Sequence, residues 1–262
     1  MRGTFGSRDT YPTAGMDFER DGVRLRYTLH GPDAGEPVIL VHGFASDYEL
    51  NWVGSRWQET LERAGYRVIG LDCRGHGQSS KPHDPAAYAL ATMAADVRNL
   101  MDELDLASTR YIGYSMGAWI GLRALLDFPD RIRCAVLGGV GMSGALEGAE
   151  KIARALRGGP PENEVAATFQ RFASARPSND LEALAACIVG QQPGLDPEQL
   201  TAVRTPILVA IGERDDIARN AEQLVAQIPT ARLIVIPGRD HMSAVTARPF
   251  KDAALEFLAE NS

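Results

Sequence analysis

Hydrophobic and polar positions follow two rhythms along the chain. Residues 16–20 and 23–30 alternate with period two. Residues 37–41, 66–71, 111–114, 134–137, 207–211 and 233–236 are short apolar runs, and all eight segments are predicted strands. Apolar positions at helical spacing over 55–64, 90–104, 116–126, 221–228 and 244–258 predict helices between them. Asp21-Gly22 joins the first two strands, and both residue types tolerate the positive φ of a tight hairpin. Strands alternating with helices call for an α/β fold: a mostly parallel twisted sheet of about eight strands with helices on both faces.

The rhythm breaks between Gly141 and Arg204. Here the stripes are helical throughout, Leu146/Ile152/Leu156, Val165/Phe169/Phe172 and Leu181/Leu184/Ile188, and Pro160-Pro161, Pro177 and Pro193-Gly194 punctuate them. A small helical insertion over 141–204 is expected, too short for much core of its own and so packed on the main domain. That domain then comprises 16–140 and 205–262, preceded by a polar arm over 1–15.

Composition narrows the partners. The chain of 262 residues carries 27 basic against 34 acidic residues, a net charge of −7. Such a surface repels phosphate backbones, and no basic stripe offsets it, so nucleic acid is not an expected partner. No apolar run reaches the roughly 18 residues of a membrane helix, and the polar start lacks the apolar centre of a secretory signal. The 3 cysteines, Cys73, Cys134 and Cys187, are far apart and give neither metal-ligand spacing nor an even disulfide set. A cytoplasmic location follows as the simplest expectation, with Cys73 and Cys134 as small buried hydrophobes.

The candidate chemistry centres on Gly113-Tyr114-Ser115-Met116-Gly117, where a predicted strand turns into a predicted helix. This G-x-S-x-G pattern is that of a nucleophile elbow, whose glycines leave room for a sharp turn presenting the serine hydroxyl above the sheet. A serine hydroxyl is a weak nucleophile and needs a base and an orienting acid. Of the 5 histidines, His30, His42, His76, His83 and His241, the last stands just past the final apolar strand, on the sheet edge where α/β sites form. The run Gly212-Glu213-Arg214-Asp215-Asp216 follows another strand in the same way. The order Ser115, Asp215, His241 is that of α/β-hydrolase triads.

From about residue 17 to 258 the chain resembles a lidded, single-domain α/β hydrolase. Besides the elbow, His42-Gly43-Phe44 resembles the family's oxyanion loop, and Asp72-Cys73-Arg74-Gly75-His76-Gly77-Gln78-Ser79 its loop after the next strand. Gly212-x-x-Asp215 and Asp240-His241 resemble its acid and base segments. The resemblance implies that Ser115 is the nucleophile, His241 the general base and then acid, and Asp215 the residue that fixes the histidine tautomer. The backbone N–H groups of Phe44 and Met116 would form the oxyanion hole. His42 and His76 would brace their loops, with Asp72 and Arg74 holding the second. Asp216 would cap the following turn, and Asp240 would be exposed. Phe44, Tyr114, Phe169 and Phe172 are candidate pocket residues, the last two either lining an acyl pocket or packing the insertion down.

The activity implied is hydrolysis of a small or medium carboxylic ester through an acyl-enzyme, with substrate and water as partners and no metal or organic cofactor. Dehalogenases and epoxide hydrolases of similar build use an aspartate nucleophile where this chain has Ser115. Carbon–carbon hydrolysis of ring-cleavage diketones and cofactor-free perhydrolysis remain open alternatives, as does a small-molecule receptor with slow hydrolysis.

Overall fold

The computed structural model describes residues 15–142, 148–191 and 195–261. Leu146, Pro193-Gly194 and the arm before Gly15 lie outside them. Among the described residues, eight strands form one sheet in the order β1-β2-β4-β3-β5-β6-β7-β8. They are β1 (Met16–Arg20), β2 (Val23–His30), β3 (Pro37–Val41), β4 (Arg67–Leu71), β5 (Thr109–Tyr114), β6 (Ile132–Gly138), β7 (Ile207–Gly212) and β8 (Ala231–Ile236). Asp21 and Gly22 take φ of 52° and 74° and close the expected hairpin between β1 and β2. β2 pairs antiparallel with β4, and every pairing from β4 through β8 is parallel.

β3 is flanked by β4 on one side and β5 on the other, so strand order reverses there. The loops leaving the carboxyl ends of β3 and β5 therefore diverge and open a crevice, the place where open α/β sheets bind ligands.

Side chains of the central strands alternate between two cores, as a sheet covered on both faces requires. Ile39 and Val41 face one apolar cluster with Tyr111, while Val38, Leu40 and Ile112 face the other. The first cluster takes the buried faces of α2 (Leu90–Glu103), α3 (Met116–Asp127) and α8 (Ala221–Gln227). The second takes α1 (Trp57–Arg63) and α9 (Arg248–Glu260), through Trp57, Leu61, Phe250 and Phe257.

Among the described residues, four helices stand between β6 and β7: α4 (Ala149–Leu156), α5 (Glu164–Ser174), α6 (Leu181–Gly190) and α7 (Pro197–Leu200). Asn163 and Asp180 cap α5 and α6 by accepting the N–H groups of Ala166 and Ala183 at 2.8 and 3.0 Å. Ile152, Leu156, Phe169, Leu184 and Ile188 are buried in the same cluster as α2 and α3, so these helices share the core of the sheet.

The helix expected over 244–258 is two elements. A 3₁₀ turn, Ala244–Thr246, ends at an extended Ala247, and α9 starts afresh. Pro249 is the reason: its ring would meet the carbonyl of Val245 in a continuous helix, so it is confined to a first turn. The freed Val245 carbonyl accepts the indole N–H of Trp57 at 2.7 Å.

Candidate active site

Local sterics explain the elbow. Ser115 is held at φ 52°, ψ −111°, a conformation that non-glycine residues seldom adopt. Its N–H donates to the Gly138 carbonyl at 2.8 Å, tying the turn to β6. A Cβ on Gly117 would lie 2.0 Å from the carbonyl oxygen of Val41, and one on Gly113 would lie 2.4 Å from that of Gly117. Both glycines are thus required by close approach of α3 to β3 and β5. Met116 opens α3, and the first N–H groups of a helix have no intrahelical acceptor.

Three predicted residues meet in one hydrogen-bonded chain. The Ser115 hydroxyl donates to Nε2 of His241 at 2.9 Å. Nδ1–H of His241 donates to the Asp215 carboxylate, 2.8 Å from Oδ2 and 3.0 Å from Oδ1. A proton on Nδ1 leaves Nε2 as a lone pair facing the serine, the tautomer that can accept its proton. Asp215 is buried, whereas Asp216 beside it is exposed. The cap expected of Asp216 is made instead by Asp215, whose Oδ1 accepts the N–H groups of Ile217 and Ala218 at 3.0 and 2.8 Å. Only the inward carboxylate of the pair reaches the backbone amides at the end of β7, and the same bonds aim it at His241. Asp240 is exposed and closes the base loop by accepting the N–H of Ser243 at 2.8 Å.

The loop after β3 is braced from several sides. His42 donates through Nδ1–H to the Gly43 carbonyl at 2.8 Å, and its Nε2 accepts the N–H of Cys73 at 3.0 Å. Gly43 N–H donates to Oδ1 of Asn51 at 3.0 Å. Asp72 accepts the N–H groups of Tyr48 and Gln78, linking this loop to the one after β4. Arg74 donates to both oxygens of Asp96 in a buried pair. His76 donates to the Arg74 carbonyl and lies 5.1 Å from the His42 ring. Burial, with His42 beside it, pushes His76 down to about 3, and burial lowers His42 as well; both rings are neutral braces.

A cavity of about 270 Å³ opens beside Ser115 and His241. Phe44, Tyr114, Phe169 and Phe172 all line it, so α5 contributes a wall as well as packing. The Phe44 ring meets Phe169 edge-on at 5.5 Å. Tyr114 donates its hydroxyl to the His241 carbonyl at 2.6 Å, and burial holds its phenol well above the usual range. Leu50, Asn51, Thr168, Met242 and Val245, which carry no motif, complete much of the lining. Among the described residues, no Asp, Glu, Lys or Arg lines this cavity.

A family model of the alpha/beta hydrolase fold matches residues 36–181. The chain belongs to the α/β-hydrolase family. The crystal structure of a hydrolase from Pseudomonas aeruginosa PA01 superposes with a TM-score of 0.80 at 25% identity, covering 93% of this chain and 98% of that one. A thermophilic esterase from Thermogutta terrifontis superposes with a TM-score of 0.77 at 24% identity, over 95% of this chain and 100% of that one, and bears on the fold alone. A Bacillus subtilis (strain 168) protein named as a candidate 2-succinyl-6-hydroxy-2,4-cyclohexadiene-1-carboxylate synthase is 27% identical over 91% of this chain and 96% of its own. An epoxide hydrolase of Caballeronia sordidicola is 36% identical, but over 47% of this chain and 35% of its own length. This α/β hydrolase is thus an enzyme by family. No helix among its described residues is long and apolar enough to cross a membrane.

Proposed function

We propose that this α/β hydrolase cleaves small or medium, uncharged carboxylic esters through an acyl-enzyme on Ser115. The observation that carries the reading is the unbroken path from the Ser115 hydroxyl through His241 to Asp215, opening on an apolar cavity. As the Ser115 oxygen attacks the ester carbonyl, Nε2 of His241 takes its proton. The Asp215 carboxylate steadies the imidazolium that forms. The Phe44 and Met116 N–H groups receive the carbonyl oxygen as it becomes an oxyanion, each such donor contributing about 3–4 kcal/mol to the transition state. The imidazolium then protonates the leaving alcohol. Water attacks the acyl-enzyme, giving its proton to His241, and the imidazolium returns a proton to the Ser115 oxygen as the acid departs.

The helices between β6 and β7 act in this reading as a lid over the acyl pocket. Each methylene buried there contributes about 0.8 kcal/mol, so kcat/KM rises with acyl length until the cavity fills. A substrate bearing a carboxylate, as ring-cleavage diketones do, would find no cation in the described lining to offset its desolvation. That favours neutral esters over carbon–carbon cleavage. The three unpaired thiols fit a reducing, cytoplasmic setting.

The test is a panel of p-nitrophenyl esters from acetate to long chains, with one ring-cleavage diketone, on wild type and Ser115→Ala. Wild type is expected to release a stoichiometric burst of nitrophenol and to peak at short or medium acyl chains. Ser115→Ala is expected to lose turnover by about a million-fold. More than a tenth of the turnover surviving in the folded variant, or the diketone emerging as the best substrate, overturns the reading. Labelling of Ser115 by a fluorophosphonate without turnover would instead mark a receptor.

A further inference from the structure

The loop that carries Phe44 is held from above as well as from below. Ala45 follows Phe44 at φ 57°, fully buried, in the left-handed region that costs any residue with a Cβ. Two side chains from the α5–α6 turn reach down to this stretch. Asn179 donates through Nδ2 to the Ala45 carbonyl at 3.2 Å and to the Ala173 carbonyl, in the last turn of α5, at 3.0 Å. Arg176 pairs with Asp47, whose other oxygen accepts the N–H of Leu50 at 2.8 Å. The turn is itself closed by the Asn179 N–H donating to the Arg176 carbonyl at 3.0 Å.

These contacts are placed to act on conformation. Asn179 bonds the carbonyl of the one residue between Phe44 and Ser46 whose backbone is strained, and Asp47 anchors the same loop two residues further on. Without that hold, Ala45 gains by relaxing out of the left-handed region; the Phe44–Ala45 peptide plane would turn with it, and the plane bearing the Phe44 N–H is the next one back along the chain. We infer that Asn179 and Arg176 are positioning residues: the insertion clamps Ala45 in its strained conformation and thereby aims the Phe44 N–H at the developing oxyanion. The inference rests on the proposed acyl-enzyme reading, in which that N–H is an oxyanion donor. The insertion then sets the rate of the chemical step in addition to enclosing the acyl group.

The experiment compares Asn179→Ala in two backgrounds, wild type and Ala45→Gly, with p-nitrophenyl butyrate as substrate. In the wild-type background kcat is expected to fall about tenfold with KM within a factor of two, because an interaction made in the transition state is lost. Glycine adopts positive φ without the Cβ penalty. In the Ala45→Gly background the further loss on Asn179→Ala is therefore expected to shrink to less than threefold. Arg176→Lys, which keeps the charge on Asp47, is expected to retain more kcat than Arg176→Gln. An insertion that only packs would give a loss carried by KM, or an equal kcat loss in both backgrounds, and either result overturns the inference. Ser115→Ala run alongside separates the two readings. If it stays active, the acyl-enzyme reading itself has failed; if it is inactive and the two backgrounds agree, only the clamp has.

Discussion

The two walls of the cavity are built differently. On the sheet side, Ser115, Asp215 and His241 stand at the carboxyl ends of β5, β7 and β8, each held by directional bonds to backbone or to one another. On the other side, α5 presents Thr168, Phe169 and Phe172, and Phe169 meets the sheet side through an aromatic edge. Hydrogen bonds fix atoms to within tenths of an ångström and lose their value when angles open, whereas apolar packing accepts substitution of similar volume. Under the proposed reaction, the contrast assigns proton transfer to the first wall and choice of acyl group to the α5 side chains of the second.

Replacing Asp215 breaks that division most sharply. Asp215→Asn is expected to cut kcat by about four orders of magnitude, since an amide no longer fixes the histidine tautomer. Asp216→Asn, one residue away and exposed, is expected to change kcat less than threefold; steady-state ester kinetics on both variants decides. Next comes Phe44, on the sheet side, whose ring meets Phe169 of the other wall. Phe44→Pro removes the N–H and is expected to cost about a hundred- to a thousand-fold in kcat, while Phe44→Leu keeps the donor and is expected to stay within tenfold. Equal losses in folded variants would show that the ring, not the amide, matters. Phe169→Ala is expected to move the optimum towards bulkier acyl groups with no more than a few-fold change in kcat for the best ester. An unchanged acyl-length profile would return that ring to packing.

The smallest effect concerns stability. His76 is held down to about 3 and His42 is lowered too, against an ordinary 6.5 in the unfolded chain. In that interval the unfolded state binds more protons, so the stabilisation is complete above pH 6.5 and is lost as pH falls towards 3. Thermal melts should decline from pH 6.5 downward, and His76→Gln should flatten the decline. A slope identical in the variant would assign the acid sensitivity to other groups.

What the sequence could disclose follows the same contrast. The sheet-side groups sit in tight turns, where glycines at fixed offsets and a polar tip are local requirements. Gly113 and Gly117 around Ser115 could therefore be read as written, and Gly212 before Asp215 and His42-Gly43 through their resemblance to the family's motifs. The pattern of apolar positions likewise disclosed the eight strands, and their alternation with helices the mostly parallel sheet. Side chains that act across long separations left no such trace. Asn51 sits in a π-helical turn, Glu49–Val53, and its bond to Gly43 depends on how that turn lies against β3. Asn179 and Arg176 meet residues 134 and 129 positions away, with nothing in their own neighbourhood to announce it. The choice between Asp215 and Asp216 as cap turned on which carboxylate points inward, a matter of one step in register.

That the relay joins chain segments 126 and 26 positions apart has a consequence for how the molecule comes into being. Local turns and helices form in microseconds, whereas pairings between distant segments wait on the closure of large loops. The bond between Ser115 and His241 can form only once β7 and β8 have docked beside β6. During refolding, far-UV ellipticity should return ahead of ester turnover, and the interval between the two signals measures the time taken to dock those strands.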